Sequence, residues 1–96
     1  MPLYAFIGRD GPSGPELRKH HRPAHLAGIR ALAESGRVRF AGPLRDDGGA
    51  PIGSLVLFEA DTLDAAREIG AADPYVVEGI FESWQVNETL DVLAES

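Results

Sequence analysis

Apolar side chains fill both faces of two predicted β-strands, and this feature constrains the fold of the chain more than any other. In Pro2–Gly8 and again in Ile52–Ala60, apolar residues occupy both odd and even positions. Successive side chains of a strand point to opposite faces of its sheet, so both faces of these strands need a covering layer. The fold must therefore place packing partners on both sides of one sheet.

The order of the predicted elements indicates the architecture of that sheet. The patterns predict strands at Pro2–Gly8, Arg37–Leu44, Ile52–Ala60 and Gly79–Asn87, and helices at Glu16–Ser35 and Thr62–Ala71. This β-α-β-β-α-β order is that of the ferredoxin-like α+β fold. Two helices cover only one face of a four-stranded sheet. We therefore expect a homodimer, in which the uncovered sheet of one copy packs against that of the other.

Several boundaries carry local signals. Pro23 lies inside the first predicted helix, so either a separate turn precedes it or the helix is kinked there. Gly36 is a good C-terminal stop for this helix, and Asp61 or Thr62 would cap the second. Further expectations are a tail at Glu88–Ser96 and a common face for four residues of the last strand: Ile80, Glu82, Trp84 and Val86.

The composition narrows the classes of partner. The 96 residues predict one domain, and nine Lys and Arg against fifteen Asp and Glu give a net charge of -6, which disfavours nucleic-acid binding. The longest apolar run, Leu55–Phe58, is too short for a membrane helix, and the N-terminus is not a signal peptide. The chain has no cysteine. We therefore expect a cytoplasmic protein that binds neither nucleic acid nor membrane.

All three histidines lie in the segment RKHHRPAHLAG. His21 and His25 are spaced like two zinc ligands on a helix, but the glutamate of an H-E-x-x-H motif is missing and Pro23 intervenes. A zinc site needs three or four ligands, so we predict no metal. For His20 and His21 we expect a solvated, basic segment, which could attract an anionic substrate.

His25 differs because it shares a helical stripe with Gly28, Ile29 and Leu32, which should face the sheet. It is either a buried histidine bonded to a backbone carbonyl or a working general acid and base. Asp73, which precedes Pro74, is either a helix N-cap or the carboxylate that orients the imidazole of His25.

Five further residues are candidate contacts for a substrate: Arg22, Gly42, Pro43, Ser54 and Tyr75. Four of them also have a plainer interpretation. Gly42 and Pro43 could simply end a strand, Ser54 could be an ordinary strand serine, and Tyr75 could belong to the core or to a dimer interface. No dinucleotide-binding or phosphate-binding motif is present, so we expect no cofactor.

Three motifs together resemble the YciI-like (YCII-related) family. They are R-P-A-H-L at Arg22–Leu26, G-R-V-R-F-A-G-P at Gly36–Pro43 and A-D-P-Y-V-V-E-G at Ala72–Gly79. The resemblance spans nearly the whole chain. It implies a ferredoxin-like protomer of the dimeric α/β-barrel superfamily and an active site that pairs His25 with Asp73.

The leading hypothesis is thus a small cofactor-independent enzyme that uses His25 and Asp73 as an acid–base pair on a small organic molecule, such as a cyclic or aromatic one. Isomerisation, elimination or lyase chemistry suits such a pair. The alternative is a non-catalytic, dimeric module that binds a small ligand or serves as an accessory protein. A His–Asp pair at the wall of a cavity would favour the enzyme, and a pair sealed in solid core would contradict it.

Overall fold

The computed structural model describes residues 1–94, which form four strands and three helices. In chain order they are β1 (Leu3–Asp10), α1 (Gly14–Glu34), β2 (Val38–Arg45), β3 (Pro51–Glu59), α2 (Leu63–Ala71), α3 (Pro74–Val77) and β4 (Phe81–Thr89). The predicted order is confirmed. The four-residue helix α3 is an addition to the six predicted elements, and it begins directly after Asp73, the residue considered above as a helix N-cap.

The strands form one antiparallel sheet in the order β2-β3-β1-β4, which confirms the ferredoxin-like α+β fold. The helices pack on the face that carries the even-numbered residues of β1 and β3. The core there contains large apolar side chains, including Tyr4, Phe6, Val56, Phe58 and Val86. Burial of each such side chain contributes about 1.5–3 kcal/mol to folding.

Helix α1 runs through Pro23, so a separate turn before the proline is not found. The helix begins two residues before the predicted start at Glu16. Pro15 lies in its first turn, where the missing N–H costs nothing. Gly36, predicted as the stop, follows the C-cap Ser35 with a φ of 80°. A glycine adopts this left-handed conformation without strain.

The predicted faces of β4 are wrong at its start because the strand contains a bulge. Arg9 pairs with Ser83 but Asp10 pairs with Phe81, so Glu82 is an extra residue. The bulge turns the Phe81 ring toward the helices and leaves Glu82 exposed. The opposite residue, Asp10, lies on the helix side of the sheet like the other even-numbered residues of β1, and it contributes to the site described below.

The other face of the sheet carries partly exposed apolar side chains, among them Leu3, Ala5, Ile7, Leu55 and Leu57. Phe40 of β2 also lies on this face, where its ring covers Gly42, and it is 51% exposed. We call this set the bare face. In the helices of residues 1–94, no segment combines the length and hydropathy that a membrane crossing requires.

The tail begins two residues later than the predicted start at Glu88, because Glu88 and Thr89 still belong to β4, and the predicted range was Glu88–Ser96. After it, the Asp91 carboxylate accepts the N–H groups of Leu93 and Ala94 in a short turn. The last two positions of the predicted tail, 95 and 96, lie outside the described residues.

Candidate active site

His25 and Asp73 contact each other although they are 48 residues apart in the chain. The Nδ1 atom of His25 lies 2.8 Å from one carboxylate oxygen of Asp73 and 2.9 Å from the other. Their side chains are 8% and 14% exposed. The pair joins the middle of α1 to the start of α3, and these two side chains meet as the sequence predicts.

Asp73 also caps α3, so the N-cap interpretation of this residue is confirmed, and the same carboxylate contacts His25. Its backbone is extended, and its Oδ1 accepts the N–H of Tyr75 at 2.8 Å. A carboxylate has enough lone pairs to accept from a backbone amide and an imidazole together. Pro74 begins the helix and fixes the chain direction there. The cap therefore fixes the position of the carboxylate beside His25.

The partner of Nδ1 determines what the rest of the imidazole can do. When Nδ1 donates its proton to the carboxylate, Nε2 carries the lone pair of a neutral ring. His25 lines a cavity of about 620 Å³, whereas Asp73 does not. The ring nitrogen opposite the carboxylate is thus the one available to a ligand in this cavity.

Tyr75 holds the imidazole from one side. The two rings are stacked, with centroids 3.8 Å apart and planes inclined by 4°. Tyr75 is 1% exposed, and the guanidinium carbon of Arg18 lies 4.9 Å from the centroid of its ring. Burial raises the pKa of the Tyr75 hydroxyl, while the positive charges of Arg18 and Arg22 lower it in part. Tyr75 fixes the plane of the His25 ring.

Arg18 and Asp10 form a second pair, which sequence reasoning missed. Arg18 Nε and Nη2 donate to the two carboxylate oxygens of Asp10 at 2.6 and 2.8 Å, and Nη2 also donates to the carbonyl of Gly53 at 3.0 Å. Ser54 Oγ lies 3.5 Å from Nη2. The hydrogen bond to Asp10 raises the pKa of the Arg18 guanidinium. The pair locks α1 to the sheet below the cavity.

The cavity brings the predicted substrate contacts together between α1 and strands β2 and β3. Arg22, Gly42, Pro43, Ser54 and Tyr75 all line it, together with His25. A second cavity of about 460 Å³ lies between α1 and α2, and its walls include the core residues Phe6, Val56 and Phe58 and the carboxylate residue Asp73. The His25–Asp73 pair therefore stands between the two cavities, with His25 in the wall of the first and Asp73 in the wall of the second.

The other histidines stay apart from the pair. His20 is exposed, and His21 Nε2 lies 3.9 Å from a Glu78 carboxylate oxygen; neither residue lines the two cavities. Across residues 1–94, no three His, Asp or Glu side chains are grouped so that they could hold a metal ion.

Comparisons with known proteins give a consistent result. A model of the YCII-related domain matches residues 2–89. Protein YciI of Escherichia coli is 40% identical over 86 residues, which cover 83% of this chain and 88% of that protein. An uncharacterized protein of Haemophilus influenzae is 32% identical over 84 residues, which cover 81% and 86%.

A solved structure shares the fold. It is the 5-chloro-2-hydroxyhydroquinone dehydrochlorinase TftG of Burkholderia phenoliruptrix, in complex with 2,5-dihydroxybenzoquinone. The two chains superpose with a TM-score of 0.81 at 24% identity, over 92% of this chain and 93% of that chain.

Proposed function

This chain belongs to the YCII-related domain family, and from that premise we propose that it is a small enzyme in which His25 and Asp73 transfer a proton. One observation carries the proposal. His25 lines the 620 Å³ cavity while its Nδ1 contacts a carboxylate that lies behind it. A pair placed in this way leaves one nitrogen for a substrate and fixes which nitrogen that is.

The pair supplies both halves of an acid–base cycle. Nε2 of His25 takes a proton from the bound substrate, and the Asp73 carboxylate stabilises the imidazolium that forms. The imidazolium then returns the proton to another atom of the substrate or to a leaving group. The stacked Tyr75 ring keeps the imidazole plane fixed during the cycle. No cofactor is needed for these steps, so we propose a cofactor-independent reaction.

Isomerisation, elimination or lyase chemistry fits this arrangement. In an elimination, His25 accepts the proton, and the electron pair of the bond to that hydrogen forms the new double bond. The leaving group departs with the electron pair of the bond that held it to the substrate. TftG is by its name a dehydrochlorinase, and its structure holds 2,5-dihydroxybenzoquinone. We extend that chemistry to this chain as a proposal: the substrate is a small cyclic molecule with acidic hydroxyl groups.

The remaining cavity residues act as substrate contacts in this proposal. Gly42 and Pro43 form part of the wall at β2, and Arg22 and Ser54 offer N–H and O–H donors. Tyr75 is almost fully buried under the imidazole. It therefore supports the ring of His25 more than it contacts the substrate.

We further propose that a second copy of the chain covers the bare face. Leu55 and Leu57 of β3 pair with Ile7 and Ala5 of β1 there, which makes a continuous apolar surface across the two central strands. Such a surface is costly to expose. In Leu57→Asp we expect the dimer to dissociate in light scattering, whereas Glu88→Asp on the helix side should leave it unchanged. A wild-type monomer at micromolar concentration would contradict the dimer.

Chloride release from 5-chloro-2-hydroxyhydroquinone, measured without oxygen, tests the enzymatic proposal. We expect wild-type protein to release chloride and His25→Gln to lose this activity, while His20→Gln, exposed and outside the cavity, keeps it. Activity that survives His25→Gln would contradict the proposed mechanism. Binding without turnover, equal in wild type and His25→Gln, would instead support the non-catalytic ligand-binding module.

A further inference from the structure

The cavity beside His25 is cationic in a protein that is acidic overall. The chain carries a net charge of -6. Yet the cavity is lined by five of its nine basic residues: Arg18, Lys19, Arg22, Arg30 and Arg45. Within residues 1–94, no Asp or Glu side chain lines it. The charge of the lining is therefore opposite to that of the whole molecule.

Pairing within the protein neutralises only two of these cations. Arg18 is held by Asp10, and Lys19 lies 3.6 Å from Glu16 on the outer surface. The other three, Arg22, Arg30 and Arg45, form no ion pair with any residue in the described part of the chain. Three uncompensated positive charges thus surround the cavity mouth.

These charges come from two elements on either side of the cavity. Arg22 and Arg30 belong to α1, and Arg45 ends β2. Like charges placed around a concave space add their potentials and concentrate ions of the opposite sign. A flat basic surface that follows a polymer would suit nucleic acid, but here the cations converge on one space of about 620 Å³. Their arrangement suits a small molecule.

We propose that the ligand of this cavity is a small organic anion, such as a ring that carries enolate, phenolate or carboxylate groups, held chiefly by Arg22 and Arg45. This inference deepens the proposed function, because the ligand would be the substrate of the His25–Asp73 pair. The same arginines stabilise the negative charge that remains on the substrate after His25 removes a proton. Electrostatic recognition and proton abstraction then reinforce each other.

Calorimetric titration with two matched probes tests the charge requirement. The first probe is 2,5-dihydroxybenzoquinone, whose two enol hydroxyls are strongly acidic and ionised at neutral pH. The second is 2,5-dimethoxybenzoquinone, which has the same ring and no charge. We expect the ionised probe to bind at least about tenfold more tightly at low salt, and the difference to shrink as salt rises. Equal affinities, or no binding of the ionised probe at millimolar concentration, would overturn the proposal.

Arginine variants locate the effect. Arg22→Gln/Arg45→Gln should weaken binding of the ionised probe by about tenfold and leave the neutral probe unchanged. The matched control is Arg67→Gln, since Arg67 lies exposed on α2 and lines neither cavity. Its affinities should equal those of the wild type. A double variant with unchanged affinity would contradict the role of these arginines.

The two proposals can fail separately. If chloride release depends on His25 but not on Arg22 or Arg45, the anion proposal is wrong and the enzymatic proposal survives. If the ionised probe binds through the arginines but no His25-dependent reaction is found, the anion proposal stands and the enzymatic one is wrong.

Discussion

Two carboxylate pairs connect α1 to the rest of the molecule, and they differ in what their basic partners can do. Asp10 binds Arg18 through both carboxylate oxygens, at 2.6 and 2.8 Å. Asp73 contacts His25 in a similar way, at 2.8 and 2.9 Å. Both pairs are largely buried, and both basic side chains contact the ring of Tyr75. By geometry alone they look alike.

The chemistry of the bases separates them. A guanidinium stays protonated at every pH at which the fold exists, and the contact with Asp10 raises the pKa of Arg18 further. Histidine is the residue type that exchanges a proton near neutral pH. Both side chains line the cavity, but Arg18 donates to Asp10 and to Gly53, so most of its donors are used inside the protein, whereas His25 contacts Asp73 through one ring nitrogen only. We therefore interpret the first pair as a structural clamp and the second as the proton-transfer pair.

Asp73→Asn should show the largest effect. The asparagine oxygen can still cap α3, but it cannot stabilise an imidazolium. We expect turnover to fall by about 10²–10⁴-fold while the free energy of unfolding changes by less than about 1 kcal/mol. Steady-state kinetics and denaturant titration of the same preparation measure both quantities. A variant with normal turnover would remove the distinction between the two pairs.

Asp10→Asn should have the opposite profile. It leaves the buried guanidinium of Arg18 without its carboxylate, so we expect the free energy of unfolding to fall by about 3 kcal/mol. Urea denaturation measures this loss, and Asp47→Asn, in the exposed turn between β2 and β3, is the control. A loss no greater than that of the control would show that Asp10 and Arg18 do not clamp the fold.

The stability of the protein at high pH tests the raised pKa of Tyr75, whose ring contacts the basic side chains of both pairs. Burial raises the pKa of Tyr75, so above about pH 10 the unfolded chain has lost this proton while the folded protein still holds it. Stability then falls with rising pH, by at most about 1.4 kcal/mol per pH unit for this one group. Tyr75→Phe keeps the stack and should remove this part of the fall. Identical pH profiles for both proteins would contradict the raised pKa.

A smaller effect connects Tyr75 to the charge of the cavity. The positive charge of Arg22 lowers the pKa of Tyr75, so Arg22→Gln should raise that pKa. Ultraviolet titration in a Tyr4→Phe background isolates the Tyr75 signal, since the chain has two tyrosines. Arg67→Gln should leave the titration unchanged. A pKa that moves equally in both variants would mean that Arg22 has no special place near the ring.

The sequence predicted one pair and not the other for physical reasons. Each residue of the His25–Asp73 pair carries a local signal: His25 lies on a helical stripe, and Asp73 precedes a proline as a helix cap. The family motifs contain both residues and imply that they form one site. The Asp10–Arg18 contact forms only when α1 folds back over β1, and no local pattern marks it. The cationic cavity is equally non-local, because Arg45 joins the arginines of α1 only in the folded chain.

Nitrogen-15 NMR of the histidine rings tests the central claim most directly, since it locates the proton on His25 without a known substrate. His25→Gln assigns the signal among the three histidines. We predict that neutral His25 carries its proton on Nδ1, that Asp73→Asn disturbs this preference, and that 2,5-dihydroxybenzoquinone shifts the Nε2 signal. A proton on Nε2 in the wild type, unchanged in Asp73→Asn, would contradict the assignment of the His25–Asp73 pair as the proton-transfer site.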